Sequence, residues 1–478
     1  MFASPTETGI APSGTLLGLL QRGRGDGWLH ALAAPRAEAV AALEHCVLHD
    51  PRPDWQLERR SLYYARLYLE LGADLGPIAE HLFHPDDAAR GDEERTGLAL
   101  SVLGHLATYG RGQALRLLRD YAVRGTNWPW ALDELAVRDT DAGLRPLGPR
   151  ILDRFPRTAE GDAALTDAVR DSFEPRPWRV WSEDPDRPAQ RERLTAALER
   201  GDFDRWQRQL RPSGPRPGWS VASVLAWAED GYAQTPRQWR EAPAARCLGA
   251  VAGPEDRPAL LAAAGGGHPA ARAAALRHLA ERGDARALAL VESAVAAPDP
   301  DVRRAALTAF SRMDGARTLD QARHWATRGD ELGITAAALL ARRGTATDAP
   351  RVLAALHRAV CVRGADSREL RPLVEGVGRL CVTAAAPVLR HLYRETPSSQ
   401  LRGHAARALA ATDPGFASGL AVECLWDCEE ETRLLGAECV STGDRRALAR
   451  MRRLASDPAE QAGVRSVVRG RLAPGAAG

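Results

Sequence analysis

Apolar residues in the second half of the chain fall at helical spacing, in short blocks separated by breaker turns. The block "RALALVESAVAA" at 286–297 keeps Leu, Val and Ala on one side and ends in the run Pro298-Asp299-Pro300-Asp301. The next block, "VRRAALTAFSRM", is predicted to be a second helix. Asp301 is placed to cap it by accepting hydrogen bonds from its first free amides. Ala305, Ala306 and Ala309 keep one side of that helix small, so a neighbouring helix can approach closely. Leu307 and Phe310 are expected to supply its larger buried groups.

The same phrase recurs. "HPAARAAAL" at 268–276 and "DPDVRRAAL" at 299–307 return as "ELGITAAALL" at 331–340, "SRELRPLVEGV" at 367–377, "SSQLRGHAARAL" at 398–409, "EEETRLLGAECV" at 429–440 and "EQAGVRSVV" at 460–468. Alignment puts Arg272, Arg303, Thr335, Arg371, Arg402, Arg433 and Arg465 in one column, at steps of 31, 32, 36, 31, 31 and 32 residues. A fixed period in this range marks a stack of supersecondary units, none of which can bury its apolar face alone. The expected fold class is all-α, an alpha-alpha superhelix.

The phrase Asp-Pro-Asp-Val-Arg-x-Ala-Ala-Leu, followed by a turn and a second apolar helix, resembles the HEAT repeats, especially the short bacterial type called phycobilisome-lyase-like. The resemblance covers nearly half the chain in about seven copies. It implies a helix-pair solenoid whose second helices line a concave face. It also implies that the column arginines tie each repeat to an acidic turn residue of its neighbour, for which Asp299, Asp301, Asp366 and Glu430 stand near the right places. It implies no single activity, because the family includes scaffolds, lyase subunits, metal hydroxylases and DNA glycosylases. The copy at Thr335 lacks the arginine and the copy at Arg371 carries extra residues.

Residues 103–115 and 132–144 match 276–288 in their Leu, Ala and turn positions, and 61–83 fits a helix pair about a Gly-Ala-Asp turn. Residues 173–243 differ, with nine prolines and six tryptophans. Two helices fit there, at 190–210 and 221–232, and the Pro-rich pieces read as extended surface. The expected division is a disordered N-terminus over 1–20, degenerate helical repeats over 21–172, a Pro/Trp-rich connecting segment over 173–243, HEAT-like repeats over 244–472 and a tail over 473–478. Trp178 and Trp181, flanked by Arg176 and Arg179, form a candidate second contact, since aromatic anchors with arginine dominate interface energetics.

Net charge is +2, yet all 64 basic residues are Arg and none is Lys. Asn occurs once and Ile four times, which fits the codon bias of a GC-rich bacterial genome. Walker A and Schiff-base chemistry, which need lysine, are excluded. Residues 254–478 carry a net charge of about +6 and residues 1–253 about −4. Arg277, Arg304, Arg342, Arg343, Arg379 and Arg407 are candidates to point into the concave face, where they would meet an acidic protein or nucleic-acid phosphates. No stretch is apolar enough to span a bilayer, and no secretory signal opens the chain. Seven scattered Cys point to reduced thiols in a cytoplasmic protein. Cys424 and Cys428 read as small buried hydrophobes, and so does Cys439.

The favoured function is a non-catalytic interaction scaffold that binds a macromolecular partner, without a cofactor. One alternative is a nucleic-acid-binding HEAT protein related to the alkylpurine DNA glycosylases. A second is a metal-dependent enzyme using His45 and His49, four apart on a predicted helix, with Glu80, His81 and His84 about one repeat later.

Overall fold

A computed structural model describes residues 9–52, 58–85, 93–200, 215, 218–367 and 369–473. Among the described residues the regular structure is helical throughout, in successive neighbouring pairs. The helix expected over 190–210 is described only as Pro188–Arg200; the rest of it, most of 211–219, residues 1–8 and residues 474–478 lie outside the described residues. The chain divides into two compact units, one of residues 1–206 with 391–478, the other of residues 207–390.

Among its described residues the 207–390 unit holds five stacked pairs. The second members, Glu241–Val251, Pro269–Glu281, Pro300–Arg312, Glu331–Arg343 and Leu370–Arg379, stack directly on one another. Small residues permit this. Ala305, Ala306 and Ala309 are buried on one helix, and Ala336 and Ala337 on the next. A Cβ at Gly376 would sit 2.2 Å from that of Ala341, so only glycine allows that approach. Two sequence expectations change here. Asp299, not Asp301, caps Pro300–Arg312: its carboxylate accepts from the amides of Asp301 at 2.8 Å and Val302 at 3.2 Å. Pro300 occupies the first turn, where a missing amide costs nothing, so Asp301 falls inside the helix. Phe310 is buried as expected, but Leu307 is only half-buried, because it faces outward from the stack.

An arginine near the end of a stacked helix repeatedly bonds the end of the preceding one. Arg282 donates to the Gly249 carbonyl at 2.9 Å, and Arg343 to that of Met313 at 2.6 Å. Arg379 reaches Ala341 at 2.9 Å and Gly344 at 2.8 Å. In the other unit Arg471 donates to the Val440 carbonyl at 2.7 Å. Helix C-termini present unpaired carbonyls and partial negative charge, so these arginines satisfy both.

In the 1–206/391–478 unit the helices of the amino-terminal segment pack against the turns of the last repeats. Of the stretch expected to be without order, residues 16–20 belong to helix Leu16–Gln21, capped by Thr15, with Leu19 and Leu20 buried. The Gly-Ala-Asp turn joins Arg60–Leu71 to Gly76–Leu82 through Gly72, whose φ of 57° closes the first helix in the left-handed region. Close approach again relies on glycine. The Gly23 carbonyl accepts from the Cys428 amide at 2.9 Å, and a Cβ on Gly25 would stand 2.0 Å from the Glu423 carbonyl oxygen.

Buried ion pairs accompany that contact. Arg24 meets Glu423 at 3.1 Å, Arg66 meets Glu460 at 3.0 Å, and two of the three column arginines of this unit, Arg402 and Arg433, find turn acids. Arg402 grips Asp427 at 2.7 and 3.0 Å, and Arg433 grips Glu460 at 2.7 and 3.0 Å. The expected ladder therefore exists here at Arg402 and Arg433, on acids other than those named from the sequence, and does not extend to Arg465 among the described residues. In the 207–390 unit Arg303 instead bonds the Ala297 and Pro298 carbonyls at 2.9 and 2.7 Å, and Arg371 pairs with Glu375 on its own helix at 3.0 Å.

Candidate functional site: a groove across three repeats

Where Pro300–Arg312, Glu331–Arg343 and Leu370–Arg379 lie side by side, their outer faces form a groove of about 450 Å³. Its apolar lining is Leu307, Ile334 and Ala338, flanked by Pro300 and Pro372. These side chains are half-buried, which leaves apolar surface open to a guest. Arg303, Arg304, Glu331, Thr335 and Glu369 provide the polar lining.

Most of this polar lining is engaged internally. Arg303 is bonded to the turn before its own helix, and Arg304 pairs with Asp301 at 3.1 Å. Glu369 accepts from Arg363, while its Oε2 is buried without a hydrogen-bond partner among the described residues. No side-chain partner among the described residues reaches Glu331, which is exposed.

One repeat earlier, the equivalent face is covered by the chain itself. Helix Val221–Ala233 packs on Pro269–Glu281, and the segment after it reaches the next turn. The Tyr232 hydroxyl donates to Asp299 at 3.1 Å, Arg237 donates to Asp301 at 3.3 Å, and the guanidinium lies 3.9 Å from the Tyr232 ring centroid. Burial alone would raise the Asp299 carboxyl. The two capping amides, the Tyr232 hydroxyl and Arg237 outweigh it and hold the group below the ordinary aspartate range.

The sequence candidates fall in several places. Arg277 is buried between Glu241 at 3.3 Å and Glu281 at 2.9 Å, so it is not an open concave residue. Arg343 and Arg379 staple helix ends, and Arg342 bonds the Ser311 carbonyl. Arg304, Arg342, Arg379 and Arg407 are all exposed, and Arg407 is paired with an exposed Glu431 at 2.6 Å. Trp178 and Trp181 are fully buried, so the expected contact is core instead: their rings pack edge to face at 5.2 Å, and the Trp181 indole donates to the Leu144 carbonyl at 2.8 Å. A Trp pair on a short Pro-flanked helix fills the space beneath its neighbours, which a sequence count of Trp and Pro does not distinguish from a surface anchor. The groove-lining Leu307 and Ile334 were missed because their apolar character matches a core position. The signal was the polar residue beside each, Arg304 and Thr335 in one helix turn.

His45 and His49 have ring centroids 5.3 Å apart, and His81 lies 6.0 Å from His49. Among the described residues no group of three or more His, Cys, Asp and Glu is arranged to hold a metal ion. Cys424 and Cys428 are buried and Cys439 is half-buried; burial raises all three thiols above the ordinary range. No helix among the described residues is long and apolar enough to cross a membrane.

No curated protein matches the chain. Residues 257–343 match the family model for HEAT repeats, a span that holds three helix pairs and two of the three groove helices. The match identifies residues 257–343 as HEAT repeats and supports a HEAT-repeat family for the stacked pairs on both sides of that span.

Proposed function

We propose that the protein is a non-catalytic scaffold that holds a protein partner in the groove formed by Pro300–Arg312, Glu331–Arg343 and Leu370–Arg379. HEAT repeats commonly serve as interaction scaffolds, and a stack of repeats offers an extended surface that a single globular site does not. The observation that carries the reading is the apolar lining: Leu307, Ile334 and Ala338 stay partly open beside charged side chains. Apolar surface rimmed by polar groups is a usual mark of a docking site. Nucleic acid is the weaker reading, because Arg277, Arg342, Arg343 and Arg379 are occupied by carboxylates or helix-end carbonyls.

A photocrosslinking residue at Ala338 in the full chain tests this in extracts of the native host. Specific protein adducts are expected, and Ile334→Asp and Leu307→Asp should each abolish them while the melting temperature stays within a few degrees of wild type. Adducts that survive both substitutions would remove the groove from consideration.

A further inference from the structure

The groove holds one carboxylate without a side-chain partner among the described residues, Glu331, and a second, Glu369, with one oxygen unbonded beside its pair with Arg363, and the chain itself shows twice what such carboxylates accept. In the 207–390 unit, Tyr232 and Arg237 together occupy Asp299 and Asp301 at the start of one stacked helix. In the other unit, Arg66 donates to Glu460 at 3.0 Å and lies 2.8 Å from Asp457, while the Tyr109 hydroxyl donates to Asp457 at 2.8 Å. Arg66 Nε also donates to the Tyr109 hydroxyl at 3.1 Å. Each time, a guanidinium and a phenol in mutual contact take the acids of a turn that begins a stacked helix. The two cases share no residues and lie in different units.

The repeat register extends this to the groove. Aligning Arg303 with Thr335 puts Glu331 at the position of Asp299, and aligning Arg303 with Arg371 puts Glu369 at the position of Asp301. Asp299 and Asp301 have their guests. Glu331 has no side-chain partner among the described residues, and Glu369 keeps one buried oxygen unbonded. The two arginines of the groove are engaged, Arg303 by carbonyls and Arg304 by Asp301. The unmet chemistry of the groove is therefore anionic, and beside it lies the apolar lining of Leu307 and Ile334.

We infer that the groove binds a protein segment presenting arginine next to an aromatic residue, the guanidinium at Glu331 and Glu369 and the ring on Leu307 and Ile334. This rests on the groove being a docking site, and it reverses the sequence expectation of an acidic partner. Charged side chains in such contacts set which partner is accepted as well as how tightly it is held. A ring stacked on its own arginine, as in Tyr232 and Arg237, would arrive with the pair already arranged.

The test uses a phage-displayed library of random dodecapeptides on the immobilised full chain, with clones retained only if Ile334→Asp abolishes their binding. Enrichment of Arg with Tyr or Trp, and depletion of Asp and Glu, is the expected result. Binding of such peptides should fall at least 10-fold in Glu331→Arg/Glu369→Arg, and replacing the peptide arginine with Glu should recover binding to that double variant. Groove-dependent clones rich in Asp and Glu would overturn the inference and leave the docking site standing. No groove-dependent clone at all would overturn both. A labelled single-stranded oligonucleotide whose binding is lost in Ile334→Asp would likewise overturn it, in favour of a nucleic-acid guest.

Discussion

Arg402 and Arg303 occupy the same column of the repeat, and the structure makes them unequal. Arg402 is fully buried, as is Asp427, which it holds through two hydrogen bonds of 2.7 and 3.0 Å. Substituting Arg402→Met strands a carboxylate whose remaining donor among the described residues is the Glu429 amide at 2.9 Å. Breaking a buried pair by removing one partner costs about 3–5 kcal/mol, because the other charge stays without compensation. Arg303 touches no carboxylate. Its bonds are to the Ala297 and Pro298 carbonyls, the second of them exposed, and water can replace what Arg303→Met removes. The expected loss there is about 1 kcal/mol. A chain of two units need not unfold in one step, so urea titration is best read by hydrogen exchange on peptides of each unit separately. Arg402→Met should loosen 391–478 and its amino-terminal contacts while leaving 269–312 protected. Adding Asp427→Leu should restore most of the loss, since a buried pair replaced whole by apolar groups is close to neutral. Equal losses for Arg402→Met and Arg303→Met, or no recovery in the double variant, would refute this account of the column.

Acid should weaken the 1–206/391–478 unit in two stages. Burial, with Arg138 and Arg66 nearby, lowers His105 to about 3, so its contribution falls as pH drops below the ordinary value of 6.5. Burial opposes the charge on Glu460, but Arg433 and Arg66 hold its carboxyl down to about 2, so about 3 kcal/mol present above pH 4.5 fades as pH falls towards 2. Melting temperature against pH in wild type and His105→Gln checks the first stage; an unchanged profile above pH 4.5 in the variant would contradict it. Gly376→Val should cost about 1–3 kcal/mol or more, because its Cβ would collide with Ala341, and hydrogen exchange should rise across both helices. Trp178→Ala should cost about 3–5 kcal/mol as a core cavity, while photocrosslinking at Ala338 persists at low temperature; its loss in a folded variant would return Trp178 to the binding surface.

The period of Arg and Ala made the helix pairs legible, because Ala305, Ala306 and Ala309 can serve only close packing. The choice between Leu307 and Phe310 was not legible. Both lie at apolar positions of one helix, and only the neighbouring helix decides which is covered. The arginine candidates misled for a related reason. Charge on a stacked helix reads as an open face, yet Arg343 and Arg379 point along the stack to carbonyls 30 and 38 residues earlier, and backbone acceptors leave no trace in a sequence. Nor could the match of Arg24 to Glu423 be read from a chain with arginines throughout, since the pair is separated by 399 residues. Cys424 and Cys428 were legible as buried, because a thiol in an apolar helical stretch packs as a small hydrophobe, although their spacing of four also suits a thiolate site.

The unit that joins residues 1–206 to 391–478 has a consequence for synthesis. A ribosome releases the amino-terminal helices long before the repeats that cover Gly23, Arg24 and Arg66 exist. At about 5–20 residues per second, the wait for residues 207–390 alone is roughly 10–40 s. During that interval Arg24, Arg66 and Tyr109, destined for Glu423, Asp457 and Glu460, stand exposed on a growing chain. The 207–390 unit is one continuous stretch of chain, so it can form as it emerges. A nascent chain stalled before residue 391 should therefore carry one finished unit and one open half, a natural client for chaperones that recognise arginine and aromatic side chains.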